Sequence, residues 1–192
     1  MVSSISIEEQ KKIKERTAKP LLWVGMAGMT MIFASLTSAY IVRQADADWL
    51  AFDLPSVFYI STGIIIASSI TLFFADYFAK KDNQLGMKVG LLLTFLLSIA
   101  FVISQFAAWG QLVSLGLHFT FSEISASFLY VLTFMHLMHV IGGNVSLFVT
   151  TIKAFKGKYT SKDKLGIELA SWYWHYLTGI WLFLLFFILY IQ

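Results

Sequence analysis

Residues 169–191 read LASWYWHYLTGIWLFLLFFILYI, an apolar and aromatic run without Asp, Glu, Lys or Arg. A helix needs about 20 such residues to cross the hydrocarbon of a bilayer, so this run predicts a transmembrane helix. The whole chain agrees, since 58% of its 192 residues are hydrophobic, 17% are aromatic and the mean hydropathy is +0.74. This composition lies well outside that of soluble domains and predicts an integral membrane protein.

Four further apolar runs precede this one. They cover residues 21–42, 57–79, 87–112 and 124–152. We therefore predict an all-α membrane protein, a bundle of five transmembrane helices over residues 21–192 that follows a charged arm at residues 1–20. The chain has no cysteine, which excludes disulfides, thiolate metal sites and covalent haem attachment through Cys-x-x-Cys-His.

The distribution of basic residues predicts the orientation of the chain. Of the 14 Lys and Arg residues, five lie in the arm, one in the first loop, three in the second and five in the fourth. Lys88, counted here with the second loop, stands at the very start of the run 87–112; the rest of the predicted spans, the third loop and the C-terminus carry none. The positive-inside rule therefore places the N-terminus in the cytoplasm and the C-terminus outside. We expect no nucleic-acid partner.

Three histidines lie within predicted spans and are the first candidates for a functional site. His136 and His139 are three residues apart on one helix face, whereas His175 lies in the last span. At 1.5 Å per residue, His139 lies roughly 20 Å and His175 roughly 9 Å above the inner ends of their spans. A difference of about 11 Å is too large for one ion with bonds near 2 Å. We expect each ring to hydrogen-bond to a neighbouring helix, and no metal or haem in this chain.

Small and hydroxyl-bearing residues recur at helical spacing in two spans. The stripes are His139, Gly143, Ser146 and Thr150 in the fourth span, and Gly25, Gly28, Ser35 and Ala39 in the first. Small residues let another backbone approach closely, and they mark helix interfaces in lipid. The sequence leaves open whether these stripes pack within the chain or contact other subunits.

Two histidine motifs resemble a known family. The segment from Phe134 to Gly143, with His136 and His139, is similar to the His-x-x-His-Val-x-x-Gly signature of subunit III of haem-copper terminal oxidases. The run that begins Tyr173-Trp174-His175 and continues through Trp181 resembles the segment that opens the last helix of that family. Weaker similarities are the first span, from Phe33 to Arg43, and the pair Gln105 and Trp109.

The resemblance implies the five-helix form of the family, which lacks the first two helices of the seven-helix form. Three family carboxylates are absent. Their positions fall at Met29, at Ala108 and at Thr178. Functions that depend on those groups, such as a protonatable residue within the bilayer, are therefore not implied for this chain.

The resemblance also implies a function. The chain is expected to be the non-catalytic subunit III of a proton-pumping haem-copper oxidase, a cytochrome c oxidase of aerobic respiratory electron transport in a bacterial cytoplasmic membrane. It would pack on oxidase subunit I, contact other oxidase subunits, bind phospholipid and support proton uptake and stability. Haem and copper would lie in the partner subunits.

Other functions remain open at this stage. Within the family, a quinol oxidase subunit or a protein associated with nitric oxide reductase fits equally well. A membrane cytochrome would require histidine-ligated haem. A small membrane transporter would use a path near Asp76, but Lys80 one turn on favours an interfacial ion pair there.

Overall fold

The computed structural model describes residues 7–45, 49, 53–119, 124–160 and 163–191. Within these residues the chain forms five helices. They are α1 (Ile7–Gln44), α2 (Val57–Lys80), α3 (Gln84–Ser114), α4 (Ile124–Phe155) and α5 (Leu165–Ile191). Each is long and apolar enough to cross a membrane. The predicted all-α fold with five membrane-spanning helices is confirmed.

The first helix differs most from its predicted bounds. α1 runs for 38 residues and passes through Pro20, where the sequence suggested that a polar arm ends and a span begins. Proline cannot donate to the carbonyl four residues earlier, which belongs to Arg16. Both residues are exposed, so water can pair that carbonyl and the helix continues. At 1.5 Å per residue α1 is about 57 Å long, so part of it projects beyond the roughly 30 Å of hydrocarbon. Residues 1–6 of the arm lie outside the described residues.

Two other helices also begin before their apolar runs. α3 begins at Gln84, after Asn83, whose side chain accepts a 3.0 Å hydrogen bond from the backbone N–H of Gly86. α5 begins at Leu165 instead of residue 169, and Glu168 lies in its first turn. An acid is stabilising at a helix N-terminus, because the unpaired N–H groups there carry partial positive charge. Hydropathy therefore located the spans but not the ends of the helices.

Contacts between helix ends define one end of the bundle, which we call the lysine-rich end. Lys19 of α1 and Lys164 lie 3.2 and 3.5 Å from the carboxylate of Glu168. Gln84 at the start of α3 donates a 3.0 Å hydrogen bond to the carbonyl of Tyr159, in the loop between α4 and α5. Burial raises the pKa of Tyr159, so its hydroxyl stays protonated and remains a donor. Polar contacts thus fix the positions of α1, α3 and α5 relative to one another at this end.

Close backbone approaches set the packing of two helix pairs. A Cβ atom added at Gly90 would lie 2.8 Å from Cβ of Ala75, so α3 rests directly on α2. A Cβ atom at Gly143 would lie 3.2 Å from Cδ1 of Leu177 and from the indole of Trp174, so α4 packs closely on α5. In both pairs the absence of a side chain allows the approach.

The two small-residue stripes have different surroundings. In α4, Gly143 and Thr150 are buried against other helices, whereas Ser146 is exposed. In α1 all four members are exposed: Gly25, Gly28, Ser35 and Ala39. The α4 stripe therefore serves packing within the chain in part, while the α1 stripe faces away from it.

We predict that Gly143→Leu destabilises the chain, because the new side chain must push Trp174 and Leu177 away from α4. Overpacking of this kind costs about 1–3 kcal/mol. Thermal unfolding in mild detergent measures the effect. Gly179→Leu is the matched control, because nothing lies within 4 Å of a Cβ atom at Gly179. Equal midpoints for the two variants would contradict the tight α4–α5 contact.

Candidate functional site

His136 is completely buried, at 0% exposure. Its Nε2 lies 3.0 Å from the carbonyl oxygen of Leu177 on α5. Because a carbonyl only accepts, Nε2 carries the proton and donates. The ring lies among aromatic side chains, with centroids 5.0 Å from Trp181 and 5.9 Å from Phe101. His136 therefore links α4 to α5, as expected for a histidine that bonds to a neighbouring helix.

His139 pairs differently. Its Nδ1 donates to the carbonyl of Met135, 2.7 Å away and one turn back on the same helix. The expectation that every histidine bonds across to another helix is therefore wrong here, because the half-buried ring turns along α4. Its other contacts still join helices, since Phe33 of α1 lies 5.8 Å away between ring centroids. The hydroxyl of Tyr173 on α5 also donates to the His139 carbonyl at 3.2 Å.

His175 faces a third direction. Its Nδ1 lies 2.5 Å from the hydroxyl oxygen of Ser69 on α2. Directly before it, the indole of Trp174 donates to the hydroxyl of Ser68 at 2.9 Å. Adjacent residues of α5 thus bind adjacent residues of α2. The two serines were not singled out in the sequence, although paired hydroxyls within an apolar run are a signal of buried polar contact.

Tyr176 completes this turn of α5 and reaches α1. Its hydroxyl donates to the carbonyl of Met26 at 2.8 Å and lies 2.8 Å from the hydroxyl of Thr30. The consecutive residues 173–176 therefore bind α4, α2 and α1. The motif that carried the family resemblance is a junction of four helices.

Trp181, two turns further along α5, repeats this arrangement. Its indole donates to the hydroxyl of Thr62 on α2 at 2.9 Å. Its ring meets Phe101 of α3 edge-on at 5.1 Å and stacks on Phe58 of α2 at 6.2 Å. At Thr178, where the family carries an aspartate, the hydroxyl donates within α5 to the carbonyl of Trp174.

The structure revises the depth of the histidines. Trp174 and Leu177, which flank His175, pack on Gly143, and His139 lies one turn above Gly143. The difference in level between His139 and His175 is therefore roughly 6 Å by helix rise, less than the 11 Å expected. The rings remain apart in direction, since His175 faces α2 and His139 faces α1. Among the described residues, no three His, Asp or Glu side chains are grouped to hold a metal ion.

The acid nearest to lipid lies at the lysine-rich end. Oδ2 of Asp76 is 2.6 Å from Nζ of Lys80. The predicted ion pair on one face of α2 is confirmed. Lys19 also lies 5.4 Å above the ring of Trp172, so charges and aromatic rings surround this end of the bundle.

Comparison with known proteins extends these observations. The sequence profile of the family described as cytochrome c oxidase subunit III matches residues 50–192. A Rickettsia felis protein described as a probable cytochrome c oxidase subunit 3 is 36% identical over 140 residues, which cover 71% of this chain and 48% of that protein. Cytochrome c oxidase subunit 3 of Loxodonta africana is 33% identical over 126 residues, which cover 65% of this chain and 46% of that protein. The chain thus spans about half the length of the curated relatives it matches.

We predict that His136→Leu destabilises the bundle, whereas His136→Gln restores most of the loss because an amide still donates to Leu177. Hydrogen bonds of this kind within membranes contribute about 0.6 kcal/mol on average and rarely reach 2. His139→Leu, which removes only a bond within one helix, should have a smaller effect. The thermal unfolding midpoints of the three variants measure these effects, and the metal and haem content of each variant is determined alongside. Loss of a cofactor in the Leu and Gln variants alike would identify His136 as a ligand instead.

We also predict that Trp181 and Thr62 stabilise the bundle as a pair. Trp181→Phe and Thr62→Val each remove one side of the hydrogen bond; Thr62→Val keeps the shape of the side chain, whereas Trp181→Phe also shortens the ring system, an effect that the cycle subtracts. In a double-mutant cycle the coupling energy should be about 0.6–1.7 kcal/mol. Trp181→Phe combined with Ser114→Ala, a change at the exposed end of α3, is the control cycle. If the free-energy changes of Trp181→Phe and Thr62→Val simply add in the double variant, the hydrogen bond contributes nothing to stability.

Proposed function

The chain belongs to the cytochrome c oxidase subunit III family, and we propose that it is a non-catalytic subunit III of a proton-pumping haem-copper oxidase in aerobic respiration. The match over residues 50–192 carries this proposal, since it includes α2 to α5 and every histidine motif described above. In this role the chain would be a scaffold that supports the stability and proton uptake of the enzyme. The redox chemistry would belong to its partners.

The chemistry of the histidines supports a scaffold role. His136 and His139 each donate a hydrogen bond from one ring nitrogen to a backbone carbonyl, and His175 pairs with a hydroxyl. Each bond holds a ring in place without requiring a charge in the bilayer. The haem and copper of the complex would accordingly lie in partner subunits.

We infer that α1 supplies the contact with oxidase subunit I. Gly25, Gly28 and Ser35 are exposed, and no other helix among the described residues comes within 4 Å of a Cβ atom added at either glycine. A partner helix could therefore approach this backbone closely, and van der Waals packing over such a face drives helix association in lipid. The residues of α1 that the chain itself buries, such as Phe33 and Tyr40, lie on another face, while Ser35 also borders the groove toward α4.

The lipid surroundings fit the same proposal. An apolar groove of about 400 Å³ runs between α1 and α4, with Met31, Ser35 and Met135 among its lining residues. Its size and lining suit a phospholipid acyl chain. The relative in Rickettsia supports a bacterial cytoplasmic membrane, with the lysine-rich end on the cytoplasmic side.

We predict that the chain co-purifies from its native membrane, in mild detergent, with a larger subunit that contains haem and copper. A subunit is defined by the proteins with which it assembles. Identification of the co-purified proteins, together with haem and copper analysis of the complex, therefore tests the proposed function directly. Recovery of the chain only alone, or only as a homo-oligomer, would contradict the proposed function.

We predict further that Gly28→Leu reduces the yield of that complex, because the new side chain blocks close approach to α1. The fold of the chain itself should be unaffected, since the position is open. Gly63→Leu on the exposed face of α2 is the matched control and should leave the yield unchanged. The reverse order of yields would place the docking face on α2.

A further inference from the structure

Gln105 is a fully buried polar side chain in the seam between α3 and α4. It is 0% exposed, and neither Nε2 nor Oε1 has a hydrogen-bond partner among the described residues. A primary amide offers two donors and an acceptor, and leaving them unpaired away from water is costly. The side chain therefore requires partners that other protein groups do not supply.

His136 presents a second unpaired group. Its Nε2 donates to Leu177, which leaves Nδ1 with a lone pair that must accept. This Nδ1 is buried and has no partner among the described residues. The unpaired atoms are of complementary kinds: His136 Nδ1 and Gln105 Oε1 each lack a hydrogen-bond donor, and Gln105 Nε2 lacks an acceptor.

Helix register brings the two groups to the same depth. On one side of Gln105, the ring of Phe101 lies 5.9 Å from the ring of His136. On the other side, the indole of Trp109 donates to the hydroxyl of Thr133 at 3.1 Å. Gln105 lies one turn from both contacts on the same face of α3, and Thr133 and His136 are three residues apart on α4. Gln105 and His136 therefore line the same stretch of the seam.

Two hydroxyl groups at about this depth already donate to backbone carbonyls. Thr133 donates to the carbonyl of Leu129 at 2.8 Å, and Ser61 of α2 donates to that of Phe58 at 2.9 Å. Ala108, one turn beyond Gln105, is buried and offers only a methyl group. A direct bond from Gln105 Nε2 to His136 Nδ1 would still leave Oε1 without a donor.

We propose that Gln105 and His136 together hold one or two buried water molecules between α3 and α4, in the half of the bundle away from the lysine-rich end. One O–H would donate to His136 Nδ1 and another to Gln105 Oε1, while a water oxygen accepts from Gln105 Nε2. Buried waters commonly make about three such bonds to groups that would otherwise be unpaired. The proposal concerns the interior of the chain and does not depend on which complex contains it.

High-resolution electron microscopy of the intact native complex tests the site directly. We expect one density peak, or two peaks within hydrogen-bond distance of each other, that lie about 3 Å from the Gln105 amide at one end and from His136 Nδ1 at the other. A direct contact between the two side chains, or the absence of such a peak at a resolution that shows other buried waters, would overturn the proposal. This measurement uses the unmodified protein and so does not depend on any variant folding.

The variant Gln105→Met tests the proposal through the direction in which the thermal midpoint of the complex changes. Methionine has a similar size and no hydrogen-bonding amide, so replacing a truly unpaired amide should raise the thermal midpoint of the complex. If the amide anchors water that also pairs His136, the midpoint should instead fall by a few degrees. Gln111→Met, at an exposed position of the same helix, controls for the change in residue type. A midpoint that rises or stays unchanged relative to this control would overturn the proposal.

Discussion

One turn of α5 determines how the other helices are arranged around it. Tyr173, Trp174, His175 and Tyr176 follow one another in sequence, and their polar atoms bind α4, α2, α2 and α1. Within a bilayer no water competes for these atoms, so each must find its partner in the protein. Because consecutive side chains leave a helix about 100° apart, satisfying all four fixes the rotation of α5 relative to three neighbours.

The remaining packing follows from this constraint. With α5 fixed in rotation, Trp174 and Leu177 face α4, and the seam closes only because Gly143 has no side chain. The attachment of α1 is lighter and concentrated along one face, through Tyr176, the Lys19–Glu168 ion pair and a hydrogen bond from Gln44 to the carbonyl of Ile191. Its opposite face is left for lipid or another subunit, and this asymmetry underlies the proposed docking surface.

The sequence predicted the number and positions of the spans well, because lipid imposes a length and an apolar composition that can be read residue by residue. It failed at helix ends such as Pro20 and Leu165, because hydropathy marks where lipid begins, while a helix continues as long as its carbonyls find partners. It named the histidines, Trp174 and Trp181, but not Ser68, Ser69 or Thr62 as the hydroxyls that pair with these rings. Which hydroxyl meets which ring depends on the relative rotation of two helices, and a single sequence does not contain that information.

The described ion pairs and the hydrogen bonds between uncharged groups lie in different parts of this chain. Asp76 and Glu168 both meet lysines at one end of the bundle, where water and headgroups can solvate the charges. Among the described residues, the deeper junctions pair hydroxyls, indoles and imidazoles with one another or with backbone carbonyls. Met29, Ala108 and Thr178 fit this division, because each places an uncharged side chain where the family carries a carboxylate. Hydrogen bonds of this kind suit the scaffold role proposed for the chain.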